Sequence, residues 1–164
     1  MTLETAGFYG VAVVLLGASL AVVITPNLFH AVLFLAVALV ATGGVFLLLA
    51  APFLFGVQLL LYAGGVVTIV VFAIMLTERL VGERIEQASR HVFNGVVVSA
   101  ALLAGIVGFL LKRRAPGASA VTAGDTTVEI GKALVGPFAA SVELLGVLLV
   151  AALLGALYFA RTED

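Results

Sequence analysis

Few side chains in this sequence could take part in chemistry, and the most unusual is a carboxylate inside an apolar stretch. Glu143 lies six residues after Pro137, and no other charge occurs before Arg161. An acidic side chain costs roughly 2.5 to 3.5 kcal/mol at the middle of a membrane helix and less near its boundary. Two interpretations stay open: Glu143 lies shallow and pairs with a neighbouring helix, or it is a protonatable group on a hydrated path. A lone acid cannot complete a transmembrane relay, so a proton path through this chain alone is not expected.

The second candidate is a group of polar residues and glycines in the uncharged stretch 53–76. Gln58 and Tyr62 are four residues apart, so a helix would direct their polar groups into one seam. Gln58 then either forms an interhelical hydrogen bond that orients the helix or lies on a proton path. Gly64 and Gly65 lack the bulk and helical preference that would hold a regular hydrogen-bond ladder. Since π-bulges in helices often mark functional sites, these residues predict a flexible polar gate.

Composition places these residues in a membrane. The chain is 63% hydrophobic and 10% charged, with a mean hydropathy of +1.31, which is not the composition of a water-soluble domain. It contains no cysteine, which excludes disulfides, thiol chemistry and iron–sulfur ligation within the chain. Its two histidines, His30 and His91, are far apart and are interpreted as interfacial residues rather than haem or zinc ligands. The N-terminus lacks a basic leader, so no cleaved signal peptide is expected.

The elements that must position the candidate residues are five apolar segments bounded by turn formers or charges. They predict an all-α integral membrane protein, a single membrane domain over 1–164 with five transmembrane helices, the third of which holds a π-bulge. The predicted helices are 6–24, 28–51, 53–76, 92–111 and 138–160, with loops at 77–91 and 112–137. The uncharged 53–76 stretch would reach about 36 Å, enough to cross a hydrocarbon core of about 30 Å. Short breaks after the first and second segments predict that the first three helices pack as antiparallel neighbours.

The basic residues do not decide the orientation in the membrane. Four would lie on one side and four on the other, so the positive-inside rule gives no preference. The two sets are Arg79, Arg84, Arg90 and Arg161 against Lys112, Arg113, Arg114 and Lys132. This balance suggests the hypothesis that partner subunits help to fix the topology.

Two motifs carry a resemblance to a known family. One is the run 27–76, and the other begins at Gly136 and ends at Glu143. The residues concerned are Asn27, His30, Gln58, Tyr62, Ala63, Gly64 and Gly65 in the first motif, and Gly136, Pro137, Phe138, Val142 and Glu143 in the second. Together they resemble subunit J of bacterial NADH:quinone oxidoreductase, the counterpart of mitochondrial complex I subunit 6. Some relatives have glutamate at the position of Gln58, so a proton-carrying role is not transferred to this residue.

The resemblance implies a non-catalytic subunit that couples quinone reduction to proton translocation through a conformationally gated third helix. In the family this helix can hold a π-bulge, and its conversion to regular α-helix is associated with opening a hydrated link. Tyr62 would line or gate that link, while Gly64 and Gly65 would permit the register to change. Glu143 would be an auxiliary polar group in the membrane.

The resemblance also implies partners and a compartment. Quinone, FMN and iron–sulfur clusters would belong to other subunits or their interfaces, and the partners would be quinone-module and antiporter-like subunits in a lipid bilayer, without nucleic acid. The location would be the bacterial inner membrane, with the N-terminus outside and the C-terminus cytoplasmic. The alternative is a small helical subunit of a related membrane hydrogenase or cation-antiporter complex. An independent carrier or channel is disfavoured, because the sequence lacks paired intramembrane charges and an obvious internal repeat.

Overall fold

A computed structural model describes residues 3–81, 92–112 and 127–161, and these residues are organised as helices. In chain order they are α1 (Leu3–Ile24), α2 (Leu28–Leu48), α3 (Pro52–Val57), a π-helical segment (Gln58–Val66), α4 (Val67–Val81), α5 (Val92–Lys112), α6 (Thr127–Val135) and α7 (Ala139–Ala160). The π-helical segment joins α3 to α4 without a break, and these three pieces together are called the third span. Among the described residues, five helices are long and apolar enough to cross a membrane: α1, α2, the third span over Pro52–Thr77, α5 over Phe93–Lys112, and α7. The predicted all-α membrane class and the π-bulge in the third helix are both confirmed.

The breaks between the first three spans have local chemical causes. Thr25, Pro26 and Asn27 separate α1 from α2, and the Asn27 side chain caps α2 by accepting a 3.2 Å hydrogen bond from the His30 backbone N–H. At the other end of α2, the Ala51 N–H donates to the Phe46 carbonyl and the Ala50 N–H to the Leu47 carbonyl. This pair of bonds is a Schellman motif, a common way to end a helix.

Ala50 occupies the position where such a motif usually has glycine. Its φ of 53° lies in the left-handed region. The chain direction therefore reverses over three residues, and Pro52 opens the next helix at a position where its missing N–H costs nothing. Because of this reversal α2 ends at Leu48, three residues before the predicted end at 51.

α2 is the central helix of the packed part of the molecule. It contacts α1 on one side and the third span on the other. Small residues bring the helices close together: a Cβ added at Gly44 would lie 3.4 Å from Val11 Cγ1, and one added at Gly43 would lie 3.3 Å from Phe55 Cδ2. These contacts pair the C-terminal part of α2 with the N-terminal half of α1 and with α3. The first three spans therefore pack as antiparallel neighbours, as their short connections predicted.

Two segments differ from the predicted loops. The third span continues as helix to Val81, although the prediction ended it at residue 76, and α6 lies within the predicted loop 112–137. The end of the third span was predicted from the charged residues that follow residue 76. Such residues show where a helix leaves the apolar layer, but the backbone hydrogen bonds of the helix can continue beyond that point. α6 has too few residues to show as a hydrophobic span, and it contacts α7. Residues 82–91, which include His91, and 113–126 of the predicted loops lie outside the described residues.

Candidate functional site

The hydrogen-bond ladder of the third span changes its spacing near the middle of the membrane segment. The Gln58 N–H still donates to the Leu54 carbonyl, four residues earlier, whereas the Val67 N–H donates to the Tyr62 carbonyl, five residues earlier. Pairing over five residues accommodates one extra residue in the turn. The third span therefore holds a register shift between its two α-helical parts, α3 and α4.

Gln58 fixes the position of the third span on the α3 side of this register shift. Its side chain is only 8% exposed, and its Nε2 donates a 3.3 Å hydrogen bond to the Leu39 carbonyl of α2. Such a bond between membrane helices is worth about 1 kcal/mol or less, enough to orient a helix but not to hold it rigidly. This is the interhelical bond that one interpretation of Gln58 predicted. The sequence could not identify its partner, because a backbone carbonyl carries no side-chain signal.

Tyr62 does not share the buried side of the helix with Gln58. Its side chain is 49% exposed. After Gln58 and Leu59, the residues that turn inward are Ala63 and Val67. A regular α-helix continuing from Gln58 would instead place Tyr62 inward, since four residues span about one turn. The predicted common seam of Gln58 and Tyr62 is therefore absent in this conformation, because the extra residue of the π turn rotates Tyr62 outward.

The two glycines of the π-helical segment differ in how closely the backbone surrounds them. A Cβ added at Gly64 would lie 3.2 Å from the carbonyl oxygen of Leu59, five residues earlier. A Cβ added at Gly65 would lie 3.7 Å from the carbonyl oxygen of Leu60, which is an ordinary van der Waals distance. Gly64 is therefore the position where this backbone conformation favours the absence of a side chain.

Thr68 adds a contact to which the sequence assigned no function. Its hydroxyl donates to the Gly64 carbonyl, one turn earlier in the third span. A threonine four residues after a glycine in a membrane helix is the sequence signal for this bond, since threonine hydroxyls commonly donate to the preceding turn. The hydroxyl thus supplies a donor to a carbonyl beside the shifted ladder.

Glu143 lies apart from this site. It is the fifth residue of α7 and its side chain is exposed. In the described ranges, the extensive contacts of α7 are with α6 and not with the third span. The structure therefore does not bring Glu143 together with Gln58 or Tyr62. His30 is also exposed, at the start of α2, where an interfacial residue was predicted.

The arrangement has the features of a conformational site. Within 3–81, 92–112 and 127–161, acidic and histidine side chains do not form a group of three that could hold a metal ion. The site instead contains an anchored amide, a phenol turned outward, and a glycine that tolerates close backbone approach. These parts allow a change of helical register that moves one polar group relative to another.

Comparison with known protein families identifies a family that matches most of the chain. Residues 18–159 match the model of a family described as NADH-ubiquinone/plastoquinone oxidoreductase chain 6. The matched region begins inside α1 and ends within the last turn of α7, so all five spans contribute to it. No curated protein matches the chain.

Proposed function

Because the chain belongs to the NADH-ubiquinone/plastoquinone oxidoreductase chain 6 family, we propose that it couples quinone reduction to proton translocation through its third span. Membership makes it a multi-pass membrane subunit of NADH–quinone oxidoreductase, respiratory complex I, with other complex I subunits as its partners. The resemblance drawn from the sequence motifs is thereby confirmed. The coupling role rests mainly on one observation, the π-helical segment Gln58–Val66 inside a membrane span.

The proposed mechanism is a change in the hydrogen-bond register of the third span after Gln58. Each residue of an α-helix turns about 100°, so removing the extra residue of the π turn would rotate α4 by roughly that angle relative to α3. Tyr62 would then turn from its half-exposed position toward α2, and Ala63 would leave the interface. Gln58 keeps α3 in place during this rotation through its bond to the Leu39 carbonyl.

The rotation changes what the interface between α2 and the third span contains. In the described conformation Ala63 and Val67 provide apolar surface there. With Tyr62 turned inward, a phenolic hydroxyl takes the place of a methyl group, and a hydroxyl can donate to and accept from water. We expect this exchange to make or break a hydrated link between neighbouring subunits. Gly64 and Gly65 permit the register to change because neither resists backbone rearrangement with a side chain.

Glu143 has an auxiliary part in this proposal. An exposed carboxylate in the first turns of a membrane helix requires a polar neighbour, and α7 receives none from the third span. We expect the neighbour to come from a partner subunit. Gln58 acts as an anchor here rather than as a proton carrier.

The redox chemistry is assigned to other subunits. FMN and iron–sulfur clusters held by those subunits would supply electron transfer to quinone, because a chain without cysteine provides no thiolate ligands for such clusters. The proposed partners are the quinone-module and antiporter-like subunits. The proposed location is the bacterial inner membrane, with the N-terminus outside and the C-terminus cytoplasmic.

Tyr62→Phe tests the proposal, because it removes the hydroxyl and keeps the ring. We expect the assembly to form normally and quinone-linked proton pumping in membrane vesicles to fall about two- to tenfold, the effect of losing one hydrogen bond of about 0.5–1.5 kcal/mol. Tyr158→Phe, at the exposed end of α7, is the matched control and should leave pumping unchanged. Normal pumping by both variants would refute the gating role of Tyr62.

A further inference from the structure

A cavity opens where the start of α1 meets the end of α2. Its volume is about 450 Å³, and its lining includes Glu4, Phe8, Val45 and the turn residues Leu49 and Ala50. None of these residues belongs to the proposed gate in the third span. The cavity therefore calls for an explanation of its own.

The cavity lies at the boundary of the membrane. Glu4 is the second residue of α1, whose 22 residues extend about 33 Å, close to the thickness of the hydrocarbon core. α2 runs antiparallel to α1, so its last turn reaches the same boundary. A ligand in this cavity would have one end among lipid headgroups and the other in the apolar layer.

The polar part of the lining favours a cation. The C-terminal end of a helix carries a partial negative charge, and α2 ends in this cavity, which Glu4 also lines. Phe8 adds an aromatic ring, and the face of such a ring attracts ammonium groups in particular. Residues 3–24 of α1 contain no lysine, arginine or histidine, so this helix supplies no basic side chain to the cavity.

The apolar part favours an acyl chain. A groove of about 500 Å³ follows the same pair of helices deeper into the membrane, lined by residues such as Gly10, Val14, Ala36 and Gly44. Leu48 packs near Gly7 between the cavity and the groove, and it is exposed enough for a chain to pass over it. From Glu4 to Val14 the helix rises about 15 Å, which is half of the hydrocarbon core.

We propose that α1 and α2 together bind one phospholipid with an ammonium headgroup. The ammonium lies between the Glu4 carboxylate, the Phe8 ring and the carbonyl end of α2, and an acyl chain lies in the groove. This proposal does not depend on the coupling role of the third span. A zwitterionic lipid such as phosphatidylethanolamine fits the site, whereas phosphatidylglycerol brings a phosphate without a cation.

Native mass spectrometry can test which headgroup the site prefers. The chain is purified together with its co-purifying subunits and incubated with equal amounts of phosphatidylethanolamine and phosphatidylglycerol. We expect the wild-type protein to retain phosphatidylethanolamine preferentially and Glu4→Gln to retain about fivefold less. Glu129→Gln in α6 removes an equal charge outside the cavity and should retain as much as the wild type. Equal retention of the two lipids by the wild type, or unchanged retention by Glu4→Gln, would overturn the proposal.

A second pair of variants tests the groove. Gly10 and Gly17 both lie on α1 with open space around an added Cβ, but only Gly10 lines the groove. Gly10→Leu should lower lipid retention as much as Glu4→Gln does, and Gly17→Leu should not. Zero-length cross-linking of Glu4 to a lysine of another subunit would show that protein occupies the cavity, and this result would also contradict lipid binding.

Discussion

The oxygen of Leu59 lies close enough to Gly64 that a single methyl group would be crowded there. The distance from that oxygen to an added Cβ is 3.2 Å, and the crowded atom belongs to the backbone, which cannot move aside like the end of a flexible side chain. At Gly65 the corresponding distance to the Leu60 oxygen is 3.7 Å. Two adjacent glycines thus differ in what they contribute to the π-helical segment.

Gly64→Ala should therefore shift the third span from π toward α pairing. Alanine favours an α-helix over glycine by about 1 kcal/mol, and the crowding at the Leu59 oxygen adds to this preference. We expect a shift of about fivefold or more in the equilibrium, with fewer protons pumped per electron. The measurements are the hydrogen-bond pattern of the third span in the intact assembly and the ratio of protons pumped per electron in vesicles.

Gly65→Ala is the matched control for this substitution. It brings the same intrinsic preference for α-helix without the close contact, so its effect should be the smaller of the two. Equal effects of the two variants would mean that helix propensity, and not the backbone geometry at Gly64, controls the register.

At the scale of elements, α2 holds the packed part of the molecule together. Its two glycines face different neighbours: Gly43 lies against Phe55 and Leu59 of the third span, and Gly44 lies against Val11 of α1. Membrane helices gain little from hydrophobic burial against one another, so close packing and a few hydrogen bonds must supply the association energy. α2 and the third span combine such packing at Gly43 with the Gln58 bond to the Leu39 carbonyl.

Gly43→Val should separate α2 from the third span. Even its Cβ would meet the Phe55 ring at 3.3 Å, and overpacking of this kind costs about 1–3 kcal/mol. We expect a lower thermal unfolding temperature of the detergent-solubilised protein. Gly56→Val is the control, because an added Cβ at Gly56 meets nothing within 4 Å, and an equal loss of stability in both variants would argue against the packing role of Gly43.

At the scale of the whole molecule, the described helices divide into a packed group and an exposed group. α1, α2 and the third span contact one another through α2, whereas the side chains of residues 93–112 in α5 and most of those of α7 are exposed. In a membrane these exposed faces contact lipid or partner subunits, and complex I membership supplies the partners. The balanced basic residues agree with this dependence, since they give the chain little orientation preference of its own.

The proposed orientation can be measured because the chain has no cysteine of its own. Single cysteines at Val128 in α6 and at Arg161 after α7 would lie on opposite sides of the membrane, and both positions are exposed. With the N-terminus outside, an impermeant maleimide should label Val128→Cys in intact cells and Arg161→Cys only in inverted vesicles. The reverse labelling pattern would show the opposite orientation.

The sequence by itself determined the class of the molecule. Uncharged stretches long enough to cross a membrane leave helices as the available fold, because backbone groups in lipid must pair within their own segment. Short connections such as Thr25 to Asn27 also decided which spans are neighbours. The family followed from motifs in the third span and at the start of α7, and the matching family model confirmed it.

Only the tertiary structure decided the register within the third span. The four-residue spacing of Gln58 and Tyr62 predicts a common face, but that inference assumes α pairing throughout. The choice between α and π pairing depends on small energies, such as the Leu39 bond to Gln58 and the space that Gly64 leaves for the Leu59 oxygen. These contacts involve backbone atoms, which every sequence has, so no pattern of side chains could reveal which residue faces α2.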